Sequence, residues 1–232
     1  MGRRILTILP FNDTFLIDVN NNIYKKRMRY LELRKAAEPF TVFSLRDIRQ
    51  VEPAFDRRRL NEWQEKNYIR KVIKGYYVFA DTSLDEKILF EIANRIYAPS
   101  YVSFEMALAY YGLIPESVYG VTSAATRKTM AFKTPLGEFT YRKIHAKLYF
   151  GFEYLNVSGK HCKIASAEKA LLDYFYLNSG IKDEQDFTAM RVNRDQALRA
   201  IDRGKMMRYA AAYAEKSFQK RIAAFWEYLE HA

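Results

Sequence analysis

Arg57, Arg58 and Arg59 are three consecutive residues whose type and spacing could do chemistry. A guanidinium presents a planar fork of N–H donors, which binds a phosphate or the edge of a guanine through two parallel hydrogen bonds. Asn61 lies within one helical turn of the run. A charge run is also common on a solvated helix face, so the residues alone leave both interpretations open.

The overall charge favours a polyanionic partner. The 232-residue chain has a formal net charge of +11 and a sequence pI near 9.5. Such a balance suits DNA, RNA or an acidic protein surface, although a basic globular protein without such a partner has the same composition. Hydrophobic residues make up 49% of the chain and aromatic residues 16%, which is enough for a folded core and excludes the disordered class.

The N-terminal residues and the single cysteine give information about the cellular location of the protein. One cysteine cannot build a disulfide scaffold, and no uncharged apolar run approaches the about 18 residues of a membrane span. The short apolar patch near the start is broken by Pro10, Asn12 and Asp13, unlike a signal peptide. The sequence therefore predicts a cytoplasmic protein without membrane contact. Met28 is an alternative start, and residues 1–27, with the Asn-rich run at 18–22, are predicted to be a loosely attached extension in turn or coil.

Metal and nucleophile chemistry find little support. His145, His161 and His231 do not stand at metal-ligand spacing. Cys162 neighbours His161, but adjacent strand residues point to opposite faces, and the apolar pattern around Cys162 predicts a buried, inert thiol. A Cys162 nucleophile with a distant histidine stays open at this point.

Phosphate-loop and paired-acid chemistry are equally weak. The chain has no glycine-rich phosphate loop and no G-x-S-x-G nucleophile turn. Glu168 and Asp173 are five residues apart on one predicted helix, so they do not share a face. We therefore predict no catalytic residue, no metal and no cofactor, and a protein that is not an enzyme.

The elements that must position the arginines begin at Met28. A helix is predicted from there, with Tyr30, Leu33 and Ala37 on one stripe. Ser44 is a good N-cap for a second helix, which Pro53 stops and which carries a predicted apolar face. The members of that face are Leu45, Ile48 and Val51.

A third helix and a hairpin follow. Asp56 is suited to cap the helix, which directs Leu60 and Trp63 inward and ends near Asn67. The stretch "YIRKVIKGYYVFAD" predicts two strands around a turn at Gly75.

Three helices and a hairpin in this order are typical of a winged helix-turn-helix, which we predict for residues 28–82. The third helix would then present Arg57, Arg58, Arg59 and Asn61 to base edges. Lys71 and Lys74 on the hairpin would reach phosphates.

Residues 83–232 are predicted to form a second, mixed α+β domain. Two helices precede short strands that suggest an antiparallel sheet, a strongly apolar helix begins after Ser166, and residues 184–232 are predicted to be helical. The strands carry many cations, which are either the outward face of a half-buried sheet or a second polyanion surface. These cations are Arg127, Lys128, Lys133, Arg142, Lys143, Lys147, Lys160 and Lys163.

Several stretches together resemble one known family. They are "FTVFSLRDI", "FDRRRLNEWQEKNYIRKVIKGYYVFAD", "IANRIYAPSYVSFEMALAYYGLIPE", "VTSAATRKTMAFKTPLGEFTYRKI" and "KIASAEKALLDYFYL". In combination they resemble the AbiEi-like antitoxins of bacterial type IV toxin–antitoxin (abortive infection) systems. The resemblance covers residues 28–190 and leaves the N-terminal extension and the last helices unmatched.

The resemblance implies a specific function. Members use an N-terminal winged helix to bind inverted repeats in their own promoter, on double-stranded DNA, and repress the operon. A C-terminal domain counteracts a nucleotidyltransferase-like toxin without a stable complex, and no catalysis is implied. Carried onto this chain, base reading falls to Arg57, Arg58, Arg59 and Asn61. The wing role falls to Lys71 and Lys74, with Ser44 and Arg46 as candidates for phosphate contacts.

Three alternatives stay open. The first is a stand-alone winged-helix transcription regulator whose C-terminal domain senses a ligand or partner. The second is a metal-dependent nuclease that uses scattered acidic residues. The third is an interaction module whose basic face binds an acidic toxin. The sequence leaves the oligomeric state open, because inverted repeats suit a preformed dimer or two monomers that meet on DNA.

Overall fold

The computed structural model describes residues 28–115, 120–157 and 159–231, and the backbone of two short strands before them. Those strands are β1 (Phe15–Ile17) and β2 (Ile23–Lys25), which pair antiparallel. The prediction of a loose extension over 1–27 did not foresee this pairing. The Asn-rich run at 18–22 lies outside the described residues.

The N-terminal segment, residues 28–82, contains three helices and a three-stranded antiparallel sheet. The helices are α1 (Tyr30–Ala37), α2 (Leu45–Val51) and α3 (Arg58–Glu65). The strands are β3 (Phe43–Ser44), β4 (Ile69–Ile73) and β5 (Tyr76–Phe79), in the spatial order β3-β5-β4. The predicted three helices and the hairpin are confirmed, whereas β3, which pairs Phe43 with Tyr77, was not predicted.

Local side-chain chemistry sets these element ends. Ser44 Oγ accepts from the Asp47 amide, and the Asp47 carboxylate accepts from the Ser44 amide, so a capping box begins α2. The Asp56 carboxylate accepts from the Arg58 amide at the start of α3. After α3 the backbone turns at Asn67, with φ 53°, and the β4–β5 turn uses Gly75, with φ 89°.

One apolar cluster holds the N-terminal segment together. Leu33, Ile48, Leu60 and Trp63 are buried in it, as the helical patterns predicted. Val51, the last residue of α2, is 58% exposed, so the apolar face of α2 is shorter than the predicted one.

The C-terminal segment, residues 83–231, is built on a six-stranded sheet. Its strands are β6 (Ser100–Val102), β7 (Val121–Ala125), β8 (Met130–Thr134), β9 (Gly137–Lys143), β10 (Phe152–Val157) and β11 (Lys160–Ala165). The spatial order is β10-β11-β6-β7-β9-β8. Together with the helices below, this makes the described chain an α+β protein.

The sheet is mixed, which corrects the predicted antiparallel sheet. The pairs β11–β6 and β7–β9 are parallel, while β10–β11, β6–β7 and β8–β9 are antiparallel. The prediction failed because alternation of apolar and polar residues is the same in both kinds of pairing. The three-residue strand β6 was too short to show any alternation.

Helices cover this sheet. They are α4 (Glu86–Ile96), α5 (Phe104–Tyr110), α6 (Ala167–Leu177), α7 (Glu184–Ala189), α8 (Arg194–Ala200), α9 (Arg203–Ala210) and α10 (Lys216–His231). The predicted helical character of the last 49 residues is confirmed for the part that the structure describes. The apolar face predicted for α10 is buried and comprises Ile222, Phe225, Trp226 and Leu229.

The two segments pack against each other. Val42, Val72 and Val78 of the N-terminal segment belong to the large apolar cluster of the C-terminal segment. The predicted boundary between residues 82 and 83 falls in the connection between β5 and α4. None of the helices in the described ranges is long and apolar enough to cross a membrane.

The surroundings of Gly120 lead to a prediction about stability, because the backbone at Gly120 passes very close to β9. Its φ is +93°, and an added Cβ would lie 2.5 Å from the Glu138 carbonyl oxygen. Gly120→Ala should lower the free energy of unfolding by about 3 kcal/mol or more, through strain and overlap together. Gly75→Ala, with φ +89° but open space, should cost about 1–2 kcal/mol.

Urea unfolding measures all three variants, and Gly180→Ala is the matched control. Gly180 has open space and no positive φ, so its variant should stay within about 0.5 kcal/mol of the parent. A Gly120→Ala variant as stable as Gly180→Ala would contradict the close approach.

Candidate nucleic-acid interface

Helix α3 has one buried face and one exposed face. Leu60 and Trp63 are 1% and 2% exposed, so they fix the helix against the core of the N-terminal segment. Arg57, Arg58 and Asn61 are exposed on the other side. The helical repeat places positions 57 and 58 one turn before position 61, so these three side chains can present a common surface to a ligand.

The structure separates the three predicted arginines into two kinds. Arg57 and Arg58 form no ion pair with any of the residues that the structure describes. Arg59 pairs with Glu62 at 3.0 Å and donates to the Met28 carbonyl oxygen at 3.3 Å. Its guanidinium also lies 5.3 Å from the centre of the Trp63 ring. Arg59 thus stabilises the N-terminal segment through these contacts, while Arg57 and Arg58 present their donors to solvent.

The hairpin adds two exposed lysines. Lys71 on β4 and Lys74 in the turn are exposed, whereas Val72 between them is buried at 4% exposure. The alternation of the strand produces this separation. Two ammonium groups on an exposed hairpin suit contacts with a polyanionic backbone.

Ser44 and Arg46 have a different setting from the other predicted residues. The Ser44 hydroxyl donates to the Asp47 carboxylate at 2.8 Å and accepts from the Asp47 amide, so both of its roles serve the cap of α2. Arg46 is exposed. Both residues line a groove of about 560 Å³ between the two segments. Of the residues that the structure describes, the exposed ones of α3 and the hairpin lysines do not line this groove.

The basic strands of the six-stranded sheet are also divided. Arg127, Lys128, Lys133, Lys143 and Lys147 are exposed. Arg142 pairs with Glu105 at 2.8 Å, and Lys160 donates to Thr41 Oγ1 at 2.9 Å. The aromatic residues Phe139 and Tyr141 of β9 are buried in the core.

A buried polar centre surrounds Asp173, a residue that sequence patterns alone did not mark as part of a site. Tyr101 Oη and Ser103 Oγ each donate to Asp173 Oδ2 at 2.8 Å. Lys169 Nζ and Tyr213 Oη donate to Asp173 Oδ1, the tyrosine at 3.2 Å. Lys169 and Asp173 are both 0% exposed. The only signal in the sequence was the i, i+4 spacing of Lys169 and Asp173.

Burial dominates the protonation of this centre. It raises the pKa of the Tyr101 and Tyr213 hydroxyls, and the negative charge of Asp173 adds to the increase, so both remain donors. Burial lowers the pKa of Lys169, although Asp173 opposes this effect. With four donors around one carboxylate, the arrangement satisfies its own hydrogen bonds, as a structural centre must.

Glu168 belongs to a separate cluster, which agrees with the prediction that it shares no face with Asp173. It accepts from Ser166 Oγ at 2.6 Å and from the Asp202 amide at 3.1 Å, and it pairs with Lys205 at 3.0 Å. Burial alone would raise the pKa of Glu168, but the hydrogen bonds from Ser166, Lys205 and Asp202 outweigh it and hold the pKa below its usual value.

The cysteine and its neighbour lie as predicted. Cys162 is buried and His161 is exposed, on opposite faces of β11. Burial raises the pKa of the Cys162 thiol to about 11, so the thiol is protonated at neutral pH. Among the described residues, no three His, Cys, Asp or Glu side chains are placed to hold a metal ion.

Comparison with known proteins finds no family model that matches this chain. No curated protein matches it either. The resemblance to AbiEi-like antitoxins therefore stays a prediction.

The buried pair makes a prediction about stability. Asp173→Ala leaves the Lys169 ammonium without its carboxylate partner inside the core, which should cost about 3–5 kcal/mol of unfolding free energy. The double variant Lys169→Met, Asp173→Leu removes both charges and should recover part of this loss. Urea unfolding of the single and double variants measures the difference.

The surface pair Arg203 and Glu230 is the control, because its side chains are 56% and 36% exposed, unlike the buried pair, and its N···O distance is 3.6 Å. Arg203→Ala should cost less than about 1 kcal/mol. If the double core variant were less stable than Asp173→Ala, the hydroxyl donors rather than the ion pair would control this centre.

Proposed function

We propose that residues 28–82 form a winged helix-turn-helix that binds double-stranded DNA, and that the protein is a transcriptional autorepressor. The observation that carries the proposal is the exposed surface at the start of α3, with Arg57 just before the helix and Arg58 and Asn61 on it, followed by a hairpin with exposed Lys71 and Lys74. In a winged helix, the third helix enters the major groove and the hairpin contacts the backbone.

The order of the elements supports this assignment. The β3 strand between α1 and α2 joins the hairpin in one small sheet, so the hairpin is attached to the helical core. Met28 is held to α3 through Arg59, which fixes the start of the segment against the proposed reading helix. In this proposal Arg59 orients α3, and Arg57, Arg58 and Asn61 make the DNA contacts.

We further propose that the protein is the antitoxin of a type IV toxin–antitoxin system. This part rests on the resemblance, which implies repression from inverted repeats and action against a nucleotidyltransferase-like toxin without a stable complex. The quoted stretch around α6 contributes buried residues, with Glu168, Lys169 and Asp173 among them. A surface that acts against a toxin is therefore better sought among the exposed cations of the sheet than on α6.

A second candidate function is a stand-alone winged-helix regulator whose C-terminal segment senses a ligand. The specific observation in its favour is the groove between the two segments, which residues of both line. Co-expression with the neighbouring gene product distinguishes the candidates. Relief of that product's toxicity supports the antitoxin, and a neighbour without toxicity supports the stand-alone regulator.

The first experiment is a mobility-shift titration with the protein's own upstream DNA and with a scrambled fragment at two salt concentrations. The double variant Arg57→Ala, Arg58→Ala should lose the preference for upstream DNA. The control Arg199→Ala, an exposed arginine on α8, should keep it. Equal binding of both fragments by the parent protein would reject operator recognition.

Arg58→Ala should weaken operator binding by about 1–3 kcal/mol, because a bidentate contact with a base edge discriminates by that amount. Fluorescence anisotropy with the upstream fragment measures this loss. If Arg58→Ala and Arg199→Ala bound equally well, Arg58 would be part of a solvated face.

Lys74→Ala should behave differently from Arg58→Ala. A phosphate contact carries no sequence information, so the variant should bind operator and scrambled DNA more weakly by the same factor. The slope of log K against log salt should become about one unit shallower. Lys220→Ala, on α10, provides the same change of charge elsewhere on the surface, and an identical slope for both lysine variants would remove Lys74 from the interface.

A further inference from the structure

The groove between the two segments combines cations with exposed aromatic rings. Arg46 enters it from α2, Tyr154 from β10, and His161 and Lys163 from β11. Its volume of about 560 Å³ lies within the range of about 300–1,000 Å³ that small-ligand sites occupy.

Lys163 is held in place without a carboxylate partner among the described residues. Its ammonium lies 4.8 Å from the centre of the Phe152 ring and 5.5 Å from that of Tyr149. The Tyr149 hydroxyl lies 3.5 Å from the same ammonium. Ring faces attract a cation without neutralising it, so the Lys163 ammonium can still attract an anion in the groove.

The acidic residues of the groove are already engaged. Asp47 pairs with Arg95 at 2.9 Å, and Glu91 accepts a hydrogen bond from Thr41. Glu91 is 8% exposed. Since Asp47 and Arg95 offset each other, Arg46 and Lys163 outnumber the one remaining carboxylate of the lining, that of Glu91.

Ser100 provides an independent sign of a ligand. It lines the groove and is 3% exposed, yet its hydroxyl has no hydrogen-bond partner among the described residues. Its carbonyl oxygen accepts from the Tyr149 hydroxyl at 3.2 Å, and that hydroxyl also contacts Lys163. The backbone carbonyl of Ser100 is thus linked to the Lys163 ammonium through the Tyr149 side chain. A buried hydroxyl without a partner is costly. Its oxygen has almost no accessible surface, so the Ser100 side chain must rotate toward the groove before a ligand oxygen can accept from it.

Tyr154 supplies a surface for a planar ring. It contacts Phe152 and His161 edge-on, at interplanar angles of 83° and 87°, and it is 62% exposed. These edge contacts leave area of the ring available for stacking. An aromatic face beside a cation is the combination that binds a nucleobase next to its phosphate.

We propose that this groove binds a free mononucleotide. The phosphate lies between Lys163 and Arg46, a ligand oxygen accepts from the Ser100 hydroxyl, and the base stacks on Tyr154. Because both segments line the groove, occupancy strengthens the contact between the proposed DNA-binding segment and the six-stranded sheet. The site is separate from the exposed face of α3 and does not depend on DNA binding.

Isothermal titration calorimetry with AMP, adenosine and inorganic phosphate on the full chain tests the proposal. We expect saturable binding of AMP, with adenosine and phosphate each weaker by about tenfold or more, since each lacks half of the contacts. Lys163→Gln and Arg46→Gln should each weaken AMP binding by about tenfold, and Tyr154→Ala should weaken AMP more than phosphate. Lys220→Gln is the charge-matched control and should leave the affinity unchanged.

Ser100→Ala separates a ligand role from a role in folding. The hydroxyl has no partner to lose among the described residues, so its removal should leave urea stability equal to or above that of the parent. Affinity for AMP should nevertheless fall severalfold. Circular dichroism checks that each variant is folded.

Four results would overturn the proposal. The first is the absence of saturable binding at millimolar AMP, and the second is an AMP affinity that Lys163→Gln and Arg46→Gln both leave unchanged. The third is inorganic phosphate that binds as tightly as AMP. The fourth is oligothymidine that binds more tightly than AMP, with an affinity that the same variants lower. The last result would assign the groove to a nucleic-acid strand. None of these outcomes depends on whether operator DNA is bound.

Discussion

The carboxylate of Asp173 collects four donors from four parts of the C-terminal segment. Tyr101 comes from β6, Ser103 precedes α5, Lys169 lies one turn earlier on α6, and Tyr213 lies between α9 and α10. A buried carboxylate without these donors would be far too costly to bury. The arrangement therefore fixes the sheet, α6 and the C-terminal helices in one relative position, and a change in any one of them would leave a charge or a hydroxyl unsatisfied.

This fixed body determines where the N-terminal segment docks. Thr41 lies against Glu91 and Lys160, and Asp47 pairs with Arg95, so polar contacts at the seam connect α2 and its preceding loop to α4 and β11. Hydrogen bonds from Ser44 and Arg95 hold the pKa of Asp47 below its usual value even though its partial burial acts in the opposite direction. A groove lined by residues of both segments lies beside these contacts.

Two kinds of cation serve different purposes on this basic chain. Arg59, Arg95, Arg142 and Lys169 pair with carboxylates inside the protein, and several of them also lie over aromatic rings. Arg57, Arg58, Lys71 and Lys74 are exposed. The net charge of +11 thus does not describe a uniform surface. The proposed DNA-binding role rests on these four exposed cations, which lie at the start of α3 and on the adjoining hairpin.

The sequence by itself determined the elements whose causes are local. Ser44 and Asp56 indicated helix starts, and Gly75 indicated a turn. The positions of Leu60 and Trp63 indicated which face of α3 is buried. These predictions succeeded because capping, φ preference and helical period act within a few residues. Only the tertiary structure decided the parallel pairs of the sheet, the role of Arg59 and the partners of Asp173. The donors Tyr101 and Tyr213 are 72 and 40 residues away from Asp173, and no local pattern records which distant side chains a fold will bring together.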